Sequence, residues 1–120
     1  GTSVDMGGNV GLTDQLSGCG SLTNSPLLVV SERWTLGVSD IAAGSKLTSD
    51  GKIVFADGAK IAIDGDRCAE GTYTVAEAAG GIEGDPEIET QETKGKWIKS
   101  IQDGRIDLTF RPNGLVIIVL

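Results

Sequence analysis

Three Asp-Gly pairs, at 50–51, 57–58 and 64–65, each close a short apolar segment: Leu47 with Thr48, Ile53 to Phe55, and Ile61 to Ile63. Gly takes a positive φ without steric penalty and Asp hydrogen-bonds nearby backbone, so each pair reads as a turn and each segment as a strand. Ile53, Phe55, Ile61 and Ile63 alternate with Val54, Ala56, Lys60 and Ala62, which puts large aliphatic side chains on one face and small or polar ones on the other. In an antiparallel sheet an Asp-Gly pair is a two-residue hairpin loop; in a parallel stack it turns a corner. A seven-residue recurrence is too short for a full coil of about 20 residues or more, so in a parallel stack these pairs are corners within one coil.

The flanking sequence extends the same pattern. Leu27 to Val30 and Arg33 to Leu36 read as strands bounded by Pro26 and by Ser31-Glu32, and Val38 to Gly44 holds the one plausible helical turn, with Ser39 or Asp40 as its cap and Gly44 as its stop. Asp66 to Gly71 reads as a surface loop, Thr72 to Val75 as a strand, and Glu87 to Thr93 as a polar edge strand whose charges resist stray pairing. Lys96 to Ile101, Asp103-Gly104 and Arg105 to Phe110 form the clearest hairpin signal in the chain, followed by a turn at Pro112 to Gly114 and an apolar strand over Leu115 to Leu120. Residues 1–26 show isolated apolar residues without a period and read as an irregular segment, leaving 27–120 as one β-rich domain. The expected fold is all-β: a fragment resembling a parallel β-helix that finishes in antiparallel hairpins, with an antiparallel β-sandwich as the alternative.

Composition then removes whole classes of function. The 120 residues suffice for one core, and 18 of them are Gly, which disfavours helix. Seventeen acidic against ten basic side chains leave a net charge of −7, which repels nucleic acid and anionic membrane surfaces. No apolar run reaches the 18 or so residues of a membrane span. Gly1 to Leu12 has neither the basic nor the apolar stretch of a signal peptide, and Gly rather than Met at position 1 implies a trimmed chain. Histidine is absent, so Ser-His and Cys-His nucleophilic pairs and His-containing zinc sites are excluded.

A few residues remain as candidates for chemistry. Asp57, Asp64 and Asp66 are carboxylates for glycoside hydrolysis only if two of them converge to about 5–10 Å, and Asp before Gly is more often a turn residue. Asp64-Gly-Asp66 offers two oxygen ligands for calcium where six to eight are required. Gly80-Gly81 lacks the spacing of a phosphate loop and is followed by Glu83 and Asp85. Trp34 and Trp97 form a sugar-stacking surface if exposed and core anchors if buried; with so few aromatic residues, burial is the simpler reading. Cys19 and Cys68 are either a disulfide, constraining the unfolded chain by about 4 kcal/mol, or two separate thiols. No catalytic, cofactor or metal residue is expected.

Several stretches together resemble a known family: Trp34-Thr-Leu36, Ile41 to Gly44 with Lys46 to Thr48, Lys52 to Phe55, Ala59 to Ile63, and above all Ala69-Glu-Gly-Thr-Tyr-Thr-Val75 running into Ala79-Gly-Gly-Ile82. They look like the end of bacterial autotransporter-associated β-strand-repeat surface proteins, over roughly residues 34–110. The resemblance implies stacked parallel coils, a closing strand pair built from Trp97 and Arg105 to Phe110, export to the cell surface, and neighbouring repeats of a longer parent chain as partners. The two cysteines, the charged 83–96 segment and the apolar ending depart from that pattern. The expectation is a non-enzymatic structural or adhesive module of an extracellular or cell-surface protein; the alternative is a small carbohydrate-binding module using exposed Trp34 or Trp97, with surface polysaccharide as ligand.

Overall fold

The computed structural model describes residues 2–65, 69–91 and 95–112. Twelve strands and one short helix account for most of them, and the protein is all-β. β1 (Thr2–Asp5), β2 (Gly11–Ser17) and β3 (Gly20–Thr23) lie in the segment expected to be irregular. That expectation is corrected because Thr, Ser and Gly are held there by backbone pairing to later strands, an interaction that leaves no period in the sequence.

The long strand β4 (Leu27–Gly37) joins the two apolar runs that Ser31-Glu32 separate in the sequence. It leads into α1 (Val38–Ala42), whose N-cap is Gly37 without a side-chain bond, so neither Ser39 nor Asp40 caps it. Gly44 closes the turn at φ +81°. The three Asp-Gly segments become β5 (Leu47–Ser49), β6 (Lys52–Phe55) and β7 (Lys60–Asp64). β8 (Gly71–Ala78), the short β9 (Ile82–Glu83) and β10 (Glu87–Thr90) follow, and β11 (Gly95–Gln102) and β12 (Arg105–Pro112) make the expected hairpin.

Two sheets result. The first runs β1-β3-β5-β8-β12-β11; the second runs β10-β7-β4-β6-β9, with β2 also beside β4. β5, β6 and β7 do not pair with one another, so the Asp-Gly pairs between them close no hairpin. Each strand instead pairs in parallel with strands far away in sequence. Thr2, Gly20, Leu47 and Ala76 are successive partners, so the chain returns to the same row after 18, 27 and 29 residues. In the second sheet Gly11, Leu28, Ile53 and Ile82 form the equivalent row. Among the described residues only β8, β12 and β11 pair antiparallel, which makes the first sheet mixed and departs from an all-antiparallel sandwich.

One core lies between the sheets. Val75, Ile106 and Leu108 from the first meet Val30, Trp34, Leu36, Ile53 and Ile61 from the second, all of them fully buried. Burying a Leu or Ile side chain contributes about 2 kcal/mol, and these residues occupy alternate positions because successive side chains of a strand point to opposite faces. A β-bulge shifts the register between Ile106 and Asp107 opposite β8. It turns both Val75 and Ala76 inward, where strict alternation would expose one of them.

Candidate functional site

The corners between strands carry the most organised polar groups of the chain. At the first corner the Asp50 carboxylate accepts hydrogen bonds from the backbone N–H of Asn24 at 2.6 Å and of Ser25 at 2.9 Å. Backbone bonds carry the stacking further: Lys52 N–H donates to the Pro26 carbonyl at 3.2 Å, and Gly80 N–H to the Gly51 carbonyl at 2.8 Å. Gly51 sits so close to the preceding layer that a Cβ there would lie 1.9 Å from the Ser25 carbonyl oxygen. This Gly serves close backbone approach, not the positive φ that its Asp-Gly context suggests.

Beside it, the Asp5 carboxylate accepts from Gly7 N–H at 2.8 Å and from the Asn24 side-chain amide at 3.0 Å. The Asn24 amide, and then the Gly7 N–H, hold the Asp5 carboxyl below the usual aspartate value. These bonds assign both aspartates to turn architecture. The depression lined by Gly8, Asn24, Ser25, Pro26, Asp50 and Gly51 is the surface of this stacked corner.

Asp57 and Asp64 occupy opposite ends of the segment containing β7 and are both exposed. At about 3.3 Å per extended residue they lie on the order of 15 Å apart or more, beyond the reach of a paired-carboxylate mechanism. Asp66, which also completes the proposed calcium pair, lies outside the described residues. Among the described residues no group of three or more acidic or thiol side chains is placed to hold a metal ion.

Neither indole offers a sugar-stacking face. Trp34 is fully buried; its ring packs 6.3 Å from that of Phe55, and its Nε1–H donates to the Gly18 carbonyl at 2.9 Å. Trp97 is only 8% exposed and packs against Phe110, its cross-strand partner, with ring centroids 4.9 Å apart and the planes tilted by 51°. The Trp97 Nε1–H is buried without a hydrogen-bond partner among the described residues. A pyranose requires an open aromatic face, and here both faces are spent on the core, as the scarcity of aromatic residues implies.

Cys19 is half-buried in an apolar groove of about 210 Å³ lined by Val4, Leu16, Leu22 and Leu47. Burial, and then the negative charge of Asp40, push its thiol above the ordinary cysteine value, which lowers its reactivity at neutral pH. Cys68, the other half of the expected bridge, lies outside the described residues.

The C-terminal hairpin supplies contacts that the sequence alone did not reveal. Asp103 at φ +54° and Gly104 at φ +69° form the two-residue turn with positive φ at both positions that suits twisted antiparallel strands. Lys99 then reaches back to the last corner, donating to Asp85 and to the Pro86 carbonyl, both at 2.6 Å. Ile106, Leu108, Phe110 and Trp97 thereby close the core at this end. Reading Lys99 as a latch would have required knowing that β11 folds over residues 85–86, a contact 13 or 14 residues away that leaves no local signal.

On the outer faces, ion pairs join neighbouring strands in Lys46 with Glu77 and Lys52 with Glu83, and Arg33 reaches across β7 to Glu89 through two hydrogen bonds. All are well exposed, so each contributes little, about 0–1 kcal/mol. Comparison with known proteins gives no match to a family model, to a curated protein sequence or to a solved structure. No helix among the described residues is long and apolar enough to cross a membrane.

Proposed function

We propose that this chain is a non-enzymatic structural or adhesive module of a bacterial secreted or cell-surface protein, and that its strands are the closing coils of a parallel β-helix. The observation that carries the reading is the change of pairing at the C-terminal end. Parallel pairing runs from β1 to β10, and then an antiparallel hairpin, latched by Lys99, covers the interior with Trp97 and Phe110. A stack of parallel strands ends in exposed core, and a reversed strand pair covers that core. The stacked corners and buried indoles support a rigid scaffold over a binding cleft.

The reading is tested on intact cells of the source organism that carry an epitope-tagged parent gene. External protease should release the tagged segment while cytoplasmic markers stay intact, and truncation before residue 95 should make the purified chain self-associate. Protection of the tag from external protease would refute the location, and a monomeric, fully folded truncated chain would refute the cap.

A further inference from the structure

The two ends of the core differ in how they are closed. At the C-terminal end Ile106 and Leu108 are 0% exposed and Phe110 is 3% exposed; at the N-terminal end Val4, on the equivalent inward row, is 44% exposed. That row runs Val4, Leu22, Ser49, Ala78, so burial increases with each layer stacked above the first. Among the described residues, β1 pairs only with β3 and β2 only with β4, leaving one backbone edge of each strand unpaired. The apolar groove containing Cys19 opens beside Val4 and Leu16 at the same end. The corner ladder is also in place there: Met6 N–H donates to the Thr23 carbonyl at 2.8 Å, and Gly8 N–H to that of Asn24 at 2.7 Å.

From this we infer that the β1/β2 end is an acceptor surface for one more coil of polypeptide, running parallel to β1 and β2 and covering Val4 and Leu16 with apolar side chains. The interface it would form continues the one already repeated from β3 to β10. All of those contacts are parallel and in register, so an incoming parallel coil meets matching donors and acceptors on both sheets. A second copy of this chain fits less well. Among the described residues its C-terminal edge strand β11 also runs parallel to β1, but β11 carries Lys99, already bonded to Asp85 and Pro86, beside Trp97, which is packed in its own core, so it brings no free apolar row to cover Val4 and Leu16. The inference rests on the stacked-coil reading above and adds the acceptor strands and the direction of the partner.

The register provides the test. Leu47, Gly20 and Thr2 share one row, so a copy of residues 20–46 spliced directly before Thr2 adds one coil in phase. Hydrogen exchange is measured on the native and the extended chains, with sedimentation velocity on both. The expected result is a monomeric extended chain in which amides of β1 and β2 are protected roughly tenfold or more over the native chain. Replacing the copied Leu28, Val30, Trp34 and Leu36 by Ser should abolish the gain. Unchanged exchange in β1 and β2, with the added coil exchanging freely, overturns the inference. So does a native dimer protected at β1 and β2 that the added coil fails to displace. Should the extended chain fail to fold, the same 20–46 segment is added as a separate peptide, and lack of protection at millimolar peptide is the refuting result. A fault in the stacked-coil reading itself would show separately, as free exchange across residues 27–64 of the native chain.

Discussion

Gly51→Ala should be among the most damaging single-methyl additions to this protein. The new Cβ would stand 1.9 Å from the Ser25 carbonyl oxygen and 2.8 Å from that of Pro26, where ordinary contact begins at 3.4 Å. Both obstacles are backbone atoms, so no side chain can swing aside, and the two layers must separate by more than 1 Å or so. Four hydrogen bonds hold them together: the N–H groups of Asn24 and Ser25 to the Asp50 carboxylate, Asp50 N–H to the Leu22 carbonyl, and Lys52 N–H to the Pro26 carbonyl. At about 1 kcal/mol net for each, their loss amounts to roughly 4 kcal/mol. That is a large fraction of the 5–15 kcal/mol or so by which domains of this kind are stable, and corresponds to a drop in Tm of about 15 °C. Urea unfolding followed by the fluorescence of the two buried indoles measures it. Gly58→Ala is the control, because Gly58 has open space around its missing Cβ but sits at φ +83°; its expected penalty is only the backbone conformation, about 1–2 kcal/mol. If Gly51→Ala loses less than about 1 kcal/mol, or less than Gly58→Ala, the close stacking of these corners is refuted.

The indoles give a paired comparison: Trp34→Phe removes the donor to Gly18 and should destabilise by about 3 kcal/mol, whereas Trp97→Phe removes an N–H with no described partner and should lose only about 1 kcal/mol. Equal losses in urea unfolding would contradict that difference. Lys99→Met should loosen the hairpin, seen as faster amide exchange in β11 with little change in β4, at about 1 kcal/mol because Asp85 is largely exposed. Uniform loosening would show that Lys99 does not act as a local latch. For Asp5 the folded pKa is lowered, so its contribution to stability is present above the unfolded value of 3.8 and fades as pH falls through the lower folded value. Carboxyl NMR titration should find Asp5 below 3.8 and find it returned toward 3.8 in Asn24→Ala; an unmoved midpoint would reject Asn24 as the principal cause. The Cys19 thiol should react with a disulfide reagent at pH 8 more slowly than free cysteine in a Cys68→Ala chain, and an equal rate would show that the groove does not shield it.

Local sequence determined most strands from Leu27 onward, their turns and the absence of histidine-based chemistry, since apolar alternation, Asp-Gly pairs and residue counts are properties of the chain read in order. The Asp103-Gly104 hairpin and the helical turn after Gly37 were legible for that reason. Tertiary structure decided which strands are neighbours. Whether Asp50-Gly51 and Asp57-Gly58 close hairpins or turn corners depends on partners 25 to 30 or so residues away, and no local pattern encodes such a pairing. For the same reason residues 1–26 looked irregular, although three strands form there once later strands present their edges. Burial of the tryptophans was the simpler reading from the scarcity of aromatic residues, but only the closed sheets decide it. Side-chain chemistry is carried by the sequence, but exposure is a property of the surface that folding leaves behind.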